Sequence, residues 1–231
     1  MRAFILGNGI SLRDVNLISL YGELVIACNR IHKHPQWEDG FRPSVWVFGD
    51  LYGNKSFKEE VRLHVREGYD CWIKSTILHL LLNETMEEHE RFWWSDYQNI
   101  FPYQCCVHRR DMNPPASWHP PHICNFTGAI NAMVQIAIWH YDVDEIYFLG
   151  IDGDIKKGKD GNHFCDGYQD VWYGPPLVER INDELQIGHT LIAKELKKAG
   201  IPAYNLTATS VFKQYPRMDL EEVLIEKSVR V

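Results

Sequence analysis

The chain has 231 residues, of which 45% are hydrophobic, and a formal net charge of −7. This length fits one large domain, and the hydrophobic content is sufficient for a core. The negative charge and the scattered lysines and arginines argue against a nucleic-acid partner. Because no sustained apolar stretch is present, we expect neither secretion nor a membrane span. Six cysteines without C-x-x-C spacing favour reduced thiols in a cytoplasmic protein.

The first eleven residues predict a ligand-binding turn. Residues 2–6 read as a buried strand, which runs into the sequence Gly7-Asn8-Gly9-Ile10-Ser11 and then into a helical pattern. Two glycines allow a sharp turn and a close approach to a ligand, while N–H groups at a helix N-terminus attract an anion. The loop therefore predicts a nucleotide site, with a tight turn that binds nothing as the alternative.

Two nucleotide-binding classes are disfavoured by the same region. The dinucleotide fingerprint requires a third small residue where this chain has Leu12, and an acidic residue where Asn29 follows the second predicted strand. No GxxxxGK[ST] segment is present, which argues against a P-loop NTPase. We therefore expect neither an NAD-dependent dehydrogenase nor a P-loop enzyme.

Strands and helices alternate along the rest of the chain. Further strands are predicted at residues 24–28, 45–48, 69–73, 145–149 and 202–205, and helices at residues 55–66, from Thr127-Gly128 onward, at 177–199 as one or two helices, and at 220–227. Residues 83–121 are irregular and read as a lid or insertion. The pattern predicts a single α/β domain over residues 1–231, Rossmann-like, with a mostly parallel sheet and helices on both faces.

Polar residues follow several of these strands. They are Asn29, Asp50, Gly150 and Asp152, with the predicted helix start at Thr127 and Gly128 nearby. Open parallel sheets bind ligands at the carboxyl ends of their strands, so we expect these residues to share one cleft and to bind the nucleotide there.

The order of these short motifs resembles a known group of enzymes. The sequences G-N-G-x-S-L, C-N-R, T-G-A, G-I-D and N-H-F are similar to those of the bacterial CMP-sialic-acid-dependent sialyltransferases, glycosyltransferase family 42. They also resemble the related MptE-like 6-hydroxymethylpterin diphosphokinases. The resemblance covers nearly the whole chain except residues 83–121, and its specificity lies in the order of the motifs.

The sialyltransferase resemblance implies a metal-independent transfer from a CMP-sugar to a glycan or small acceptor, with no cofactor. The residues that would hold the nucleotide and its phosphate are Gly7, Asn8, Gly9, Ser11, Asn29, Thr127 and Gly128. A histidine would act as general base, either His189 or His163, and Tyr168 and Tyr173 would lie near the departing phosphate. Histidine suits the base role because its unperturbed pKa lies near neutrality.

Two other functions stay open at this stage. An ATP-dependent diphosphokinase would need Mg²⁺, for which Asp50, Asp152 and Asp154 are candidate ligands. A nucleotide-binding protein without catalysis is the second alternative. The segment from His119 to Cys124 contains soft metal ligands but no second cluster, so we expect no zinc site. The aromatic run at residues 92–94 favours a homo-oligomer contact.

Overall fold

The protein is described here by a computed structural model that covers residues 1–48, 57–74, 98–104, 118, 123–124, 128–158, 161–168 and 173–229. Strands and helices alternate along this part of the chain. The strands are β1 (Arg2–Leu6), β2 (Leu24–Cys28), β3 (Val45–Phe48), β4 (Asp70–Lys74), β5 (Ile100–Tyr103), β6 (Glu145–Leu149) and β7 (Ala203–Asn205). The helices are α1 (Phe57–Arg66), α2 (Ala129–Tyr141), α3 (Pro175–Ala199) and α4 (Leu220–Val229).

The seven strands form one sheet in the order β5-β4-β3-β2-β1-β6-β7, and every strand pair is parallel. The order reverses between β1 and β6, since β2 to β5 extend to one side of β1 while β6 and β7 extend to the other. Open α/β sheets form a crevice at such a reversal, outside the carboxyl ends of the strands. The predicted α/β fold is confirmed, and the described sheet is entirely parallel.

Alternating side chains of each strand build a core on both faces of the sheet. On β1, Phe4 and Leu6 pack on the face that α1 covers, whereas Ala3 and Ile5 pack against α2. Val61 of α1 belongs to the first core, and the buried residues of α2 and α3 belong to the second. Helices therefore cover both faces, as predicted.

Two local predictions were wrong. The segment after the glycine loop is not an α-helix but two short 3-10 helices, Ile10–Asp14 and Leu17–Leu20. Val15, which follows the first of these helices, has an extended backbone with a φ of −79° and a ψ of 131°, and this interrupts the segment before a continuous α-helix can form.

The second wrong prediction is that the whole of residues 83–121 is irregular, because this stretch contains β5. Pro102 obscured the pattern, since a proline lacks an N–H to donate. It is tolerated because β5 lies at the edge of the sheet, where one side of the strand has no partner strand to satisfy. The aromatic run at residues 92–94 lies outside the described residues.

Candidate functional site at the carboxyl edge of the sheet

A cavity of about 350 Å³ lies at the reversal between β1 and β6. Loops that follow β1, β2 and β6 line it, together with the first residues of α2 and part of α3. Its lining comprises residues 7–10, 28–29, 128–130, 150–156 and 161–163, with Leu185, His189, Thr209 and Phe212. The predicted convergence of the glycine loop, Asn29 and residues 150–154 on one cleft is thus seen in the structure.

The glycines of the first loop are required by the neighbouring β6 loop. A Cβ added to Gly7 would lie 2.3 Å from the Gly150 carbonyl oxygen, and one added to Gly9 would lie 1.9 Å from Asp152 Oδ2. The Gly7 N–H donates to Leu149 O at 2.7 Å, and the Gly9 N–H donates to Gly150 O at 2.9 Å. These two N–H groups therefore hydrogen-bond to the end of β6 and its following loop. The prediction that they bind a phosphate is corrected.

Asp152 joins three loops through its carboxylate. Its Oδ2 accepts from the Ser11 N–H at 3.2 Å and from Ser11 Oγ at 2.9 Å, while its Oδ1 accepts from Thr209 Oγ1 at 3.0 Å. Ser11 does not line the cavity. Both residues were predicted to contact a nucleotide, but the structure assigns their polar atoms to each other, because a carboxylate beside an N–H and a hydroxyl satisfies both donors.

The N-terminus of α2 lies at the cavity. Gly128 precedes this helix with a φ of 113°, and no described side chain caps the helix. Gly128, Ala129 and Ile130 line the cavity, so the start of a 13-residue helix, whose first N–H groups have no partner within the helix, lies at its wall. This helix start is the anion-binding feature of the cleft, since its N–H groups and dipole favour negative charge. Thr127 and Asp50, predicted for the same site, lie outside the described residues.

Two asparagines of the cavity lining have buried side-chain oxygens. Asn29 has a φ of 48°, and its backbone is fixed by bonds from its N–H to Val47 O at 3.0 Å and from Trp46 Nε1 to its carbonyl at 2.8 Å. Within the described part of the chain, Oδ1 of Asn29 and Oδ1 of Asn8 are buried without a hydrogen-bond partner. Such buried oxygens without a donor are rare in folded proteins.

His163 lines the cavity and is held from one side. Its Nδ1 lies 3.2 Å from the Asn8 carbonyl, which can only accept, so Nδ1 carries the proton in the neutral ring and Nε2 carries the lone pair. The imidazole stacks on Tyr168 with ring centroids 4.0 Å apart. Burial lowers the pKa of His163, the bond to Asn8 opposes this, and the charge of Arg30 lowers it further. His163 is therefore neutral near pH 7 and able to accept a proton.

His189 also lines the cavity, but aromatic side chains surround it. It is 3% exposed, stacks on Phe212 with centroids 3.7 Å apart, and its Nδ1 lies 3.1 Å from Tyr215 Oη. Burial lowers its pKa to about 3. An imidazole with so low a pKa is a poor general base at neutral pH. The structure thus brings both predicted histidines to the cavity and gives them different environments.

The two predicted tyrosines do not line the cavity. Tyr168 is buried, and its hydroxyl accepts from Asn8 Nδ2 at 2.6 Å. Tyr173 is buried as well, and its backbone forms an antiparallel bridge with Gly158. Their positions do not support the predicted role beside a departing phosphate.

Lys156 was not among the predicted site residues but lies at the cavity. Its backbone is fixed by Asn162, whose Oδ1 accepts from the Lys156 N–H at 2.6 Å and whose Nδ2 donates to the Lys156 carbonyl at 2.9 Å. Asn162 is only 5% exposed, so this loop is anchored rather than free in solvent. Lys156 brings a positive charge to the cavity lining.

Metal ligands do not cluster in the described chain, where no group of three or more His, Cys, Asp or Glu residues is arranged around a common point. His119 and His122, the weak zinc candidates, lie outside it. A search of the described helices finds none with the length and apolar character needed to cross a membrane.

The fold is similar to that of solved sialyltransferases. The monofunctional alpha-2,3-sialyltransferase Cst-I from Campylobacter jejuni matches with a TM-score of 0.53 and 13% identity, over 94% of this chain and 79% of that one. A variant of the sialyltransferase Cst-II in complex with CMP matches with a TM-score of 0.50 and 12% identity, over 94% and 86%. At these identities the likeness establishes a shared fold. No protein-family profile and no curated protein sequence matches the chain.

Proposed function

We propose that the protein is a glycosyltransferase that binds a nucleotide-sugar, with CMP as the nucleotide, in the cavity between β1 and β6. The observation that carries the proposal is the position of the N-terminus of α2 at a cavity that His163 also lines. A phosphate accepts hydrogen bonds from that helix start, and a histidine suits the proton transfer. The motif order resembles that of sialyltransferases, and the Cst-II structure of the same fold is a complex with CMP.

The reaction follows from the roles of these groups. An acceptor hydroxyl gives its proton to Nε2 of His163 as its oxygen forms a bond to the anomeric carbon of the donor sugar. The bond from that carbon to the phosphate oxygen breaks, and the nucleotide leaves with the electron pair. Helix N–H groups of α2 and the charge of Lys156 stabilise the negative charge that develops on the phosphate.

His163 is the better base of the two histidines. The Asn8 carbonyl fixes its proton on Nδ1, which leaves the lone pair on Nε2, and its burial is less extreme than that of His189. His189 has a pKa of about 3 and is enclosed by Phe212 and Tyr215. We therefore assign the base to His163 and a packing role to His189, although the motif order alone also points to His189.

The experiment measures CMP release from CMP-N-acetylneuraminic acid in the presence of a panel of glycan acceptors. We expect His163→Ala to lower the rate by about 10²–10⁴-fold, the usual contribution of a positioned general base. His189→Phe, which keeps an aromatic ring against Phe212, is the matched comparison and should retain most activity. Wild-type rates in His163→Ala, or a loss confined to His189→Phe, would contradict the base assignment.

The same experiments also test the diphosphokinase and the non-catalytic alternatives. Asp152 is the carboxylate nearest the glycine loop, and hydrogen bonds from Ser11 and Thr209 already occupy both of its oxygens. Turnover that needs ATP and Mg²⁺ would favour the diphosphokinase. CMP binding without any turnover would favour a nucleotide-binding protein. A cytoplasmic location, a single domain and a homo-oligomer stay predictions.

A further inference from the structure

Tyr168 lies against His163 without reaching the cavity. The two rings are nearly parallel, with centroids 4.0 Å apart and planes inclined by 18°. Tyr168 is 6% exposed and absent from the cavity lining, whereas His163 lines it. The phenol ring therefore supports the imidazole from the protein side.

Tyr168 is itself fixed at both its ends. Its hydroxyl accepts from Asn8 Nδ2 at 2.6 Å and from the Arg30 N–H at 3.4 Å. Its carbonyl accepts from the Arg30 guanidinium, which is buried. Bonds at the hydroxyl and at the backbone hold the ring in one orientation.

Asn8 connects this tyrosine to the histidine. While its side-chain amide holds the Tyr168 hydroxyl, its carbonyl accepts from Nδ1 of His163 at 3.2 Å and from the Phe164 N–H at 3.3 Å. A single residue of the glycine loop thus sets the tautomer of the imidazole and the place of the ring behind it.

We propose that Tyr168 and Asn8 are positioning residues for His163, which hold its imidazole in one plane with Nε2 as the proton acceptor. The proposal rests on the proposed function, in which His163 is the base. Orientation matters because a base accelerates proton transfer only when its lone pair meets the acceptor hydroxyl in the reactive geometry. Tyr168 then acts through His163 and does not touch the substrate.

The test is an NMR titration of His163 in the full-length protein without any ligand. His163→Gln identifies the imidazole resonances, and ring nitrogen shifts report the tautomer. Tyr168→Leu removes the stacked ring and admits water, so the pKa of His163 should rise toward the ordinary value of 6.5, because burial is the main cause of its lowering. The preference for the Nδ1–H tautomer should weaken as well.

A matched control and a milder variant make this test decisive. Tyr147→Leu removes another buried ring, which stacks on Phe4 and Tyr204 instead, and should leave the His163 titration unchanged. Tyr168→Phe keeps the ring but loses the bond from Asn8, so we expect a smaller change in the same direction. An unchanged pKa and tautomer in folded Tyr168→Phe, or in folded Tyr168→Leu, would overturn the proposal.

Kinetics separate positioning from general packing. In Tyr168→Phe, kcat should fall while KM for the donor stays constant, and the acidic limb of the kcat profile should move in the direction of the NMR pKa. A residue with only a packing role would lower activity without moving that limb, and this result would count against the proposal. The titration needs no substrate, so it is independent of whether His163→Ala abolishes transfer.

Discussion

Replacement of Gly9 by alanine tests the packing that builds the cavity wall. A Cβ at this position would lie 1.9 Å from Asp152 Oδ2, 2.7 Å from Gly150 O and 2.9 Å from Asp152 Cγ. The backbone itself is not the obstacle, since Gly9 has a φ of −69° and a ψ of 164°, which alanine adopts without strain. Any cost therefore comes from the collision with the β6 loop.

The collision forces the Asp152 carboxylate away from its donors. Overpacking costs about 1–3 kcal/mol, and each weakened hydrogen bond to a carboxylate adds up to about 1.5–3 kcal/mol, so we expect the free energy of unfolding to fall by about 2–4 kcal/mol. Part of this cost should disappear in an Asp152→Ala background, where the nearest colliding atoms are missing. A double-mutant cycle should give a coupling of about 1 kcal/mol or more.

Urea unfolding of the four proteins of this cycle measures these quantities. Gly174→Ala is the matched control, because Gly174 also has an extended backbone, with a φ of −81° and a ψ of 163°, and an added Cβ there meets no atom of the described residues within 4 Å. The reasoning is refuted if Gly9→Ala is as mild as Gly174→Ala, or if its cost is the same with and without the Asp152 carboxylate.

Three further predictions concern the ligand, the metal and the pH. Gly128→Ala should weaken CMP binding roughly tenfold in calorimetry, because a φ of 113° strains alanine by about 1–3 kcal/mol at the helix start. Unchanged affinity would show that the phosphate does not bind at this helix start. Transfer should be insensitive to a chelator, since hydrogen bonds occupy the Asp152 carboxylate, and a strict Mg²⁺ requirement would contradict this. Burial lowers the pKa of His64 to about 3 from 6.5, so the unfolded chain binds more protons below pH 6.5 and stability should fall from there toward pH 4. His64→Phe should lessen that fall in urea unfolding at each pH, and an identical slope would show that His64 is not its source.

Six of the seven described strands were predictable because short apolar runs bounded by turn residues are local patterns. Residues 145–149, for example, were predicted to form a strand, and they form β6 in the structure. The conformation of the segments between strands depends on packing against residues that are distant in the sequence. The segment after β1 forms two 3-10 helices rather than one α-helix because the extended backbone of Val15 interrupts it.

The same distinction applies to the site. Gly7 and Gly9 were predicted to form a phosphate-binding turn. In the structure, glycine is required at both positions because the β6 loop, some 140 residues later in the chain, packs against them. Tyr168 was assigned to the leaving phosphate, whereas its contacts with Asn8 place it behind His163. The helix start at Gly128 was predicted because a small residue before an apolar helix is a local pattern.

The proposed function requires that a nucleotide binds in the cavity between β1 and β6. Thermal unfolding should be measured with CMP, CDP, UDP, GDP, ATP and NAD, each with and without Mg²⁺. A ligand present at about a hundred times its Kd adds about 2.7 kcal/mol, which raises Tm by about 5–11 °C for a chain of this length. We expect CMP or CDP alone to give this shift without metal. A shift only with ATP and Mg²⁺, or none with any nucleotide, would contradict the account.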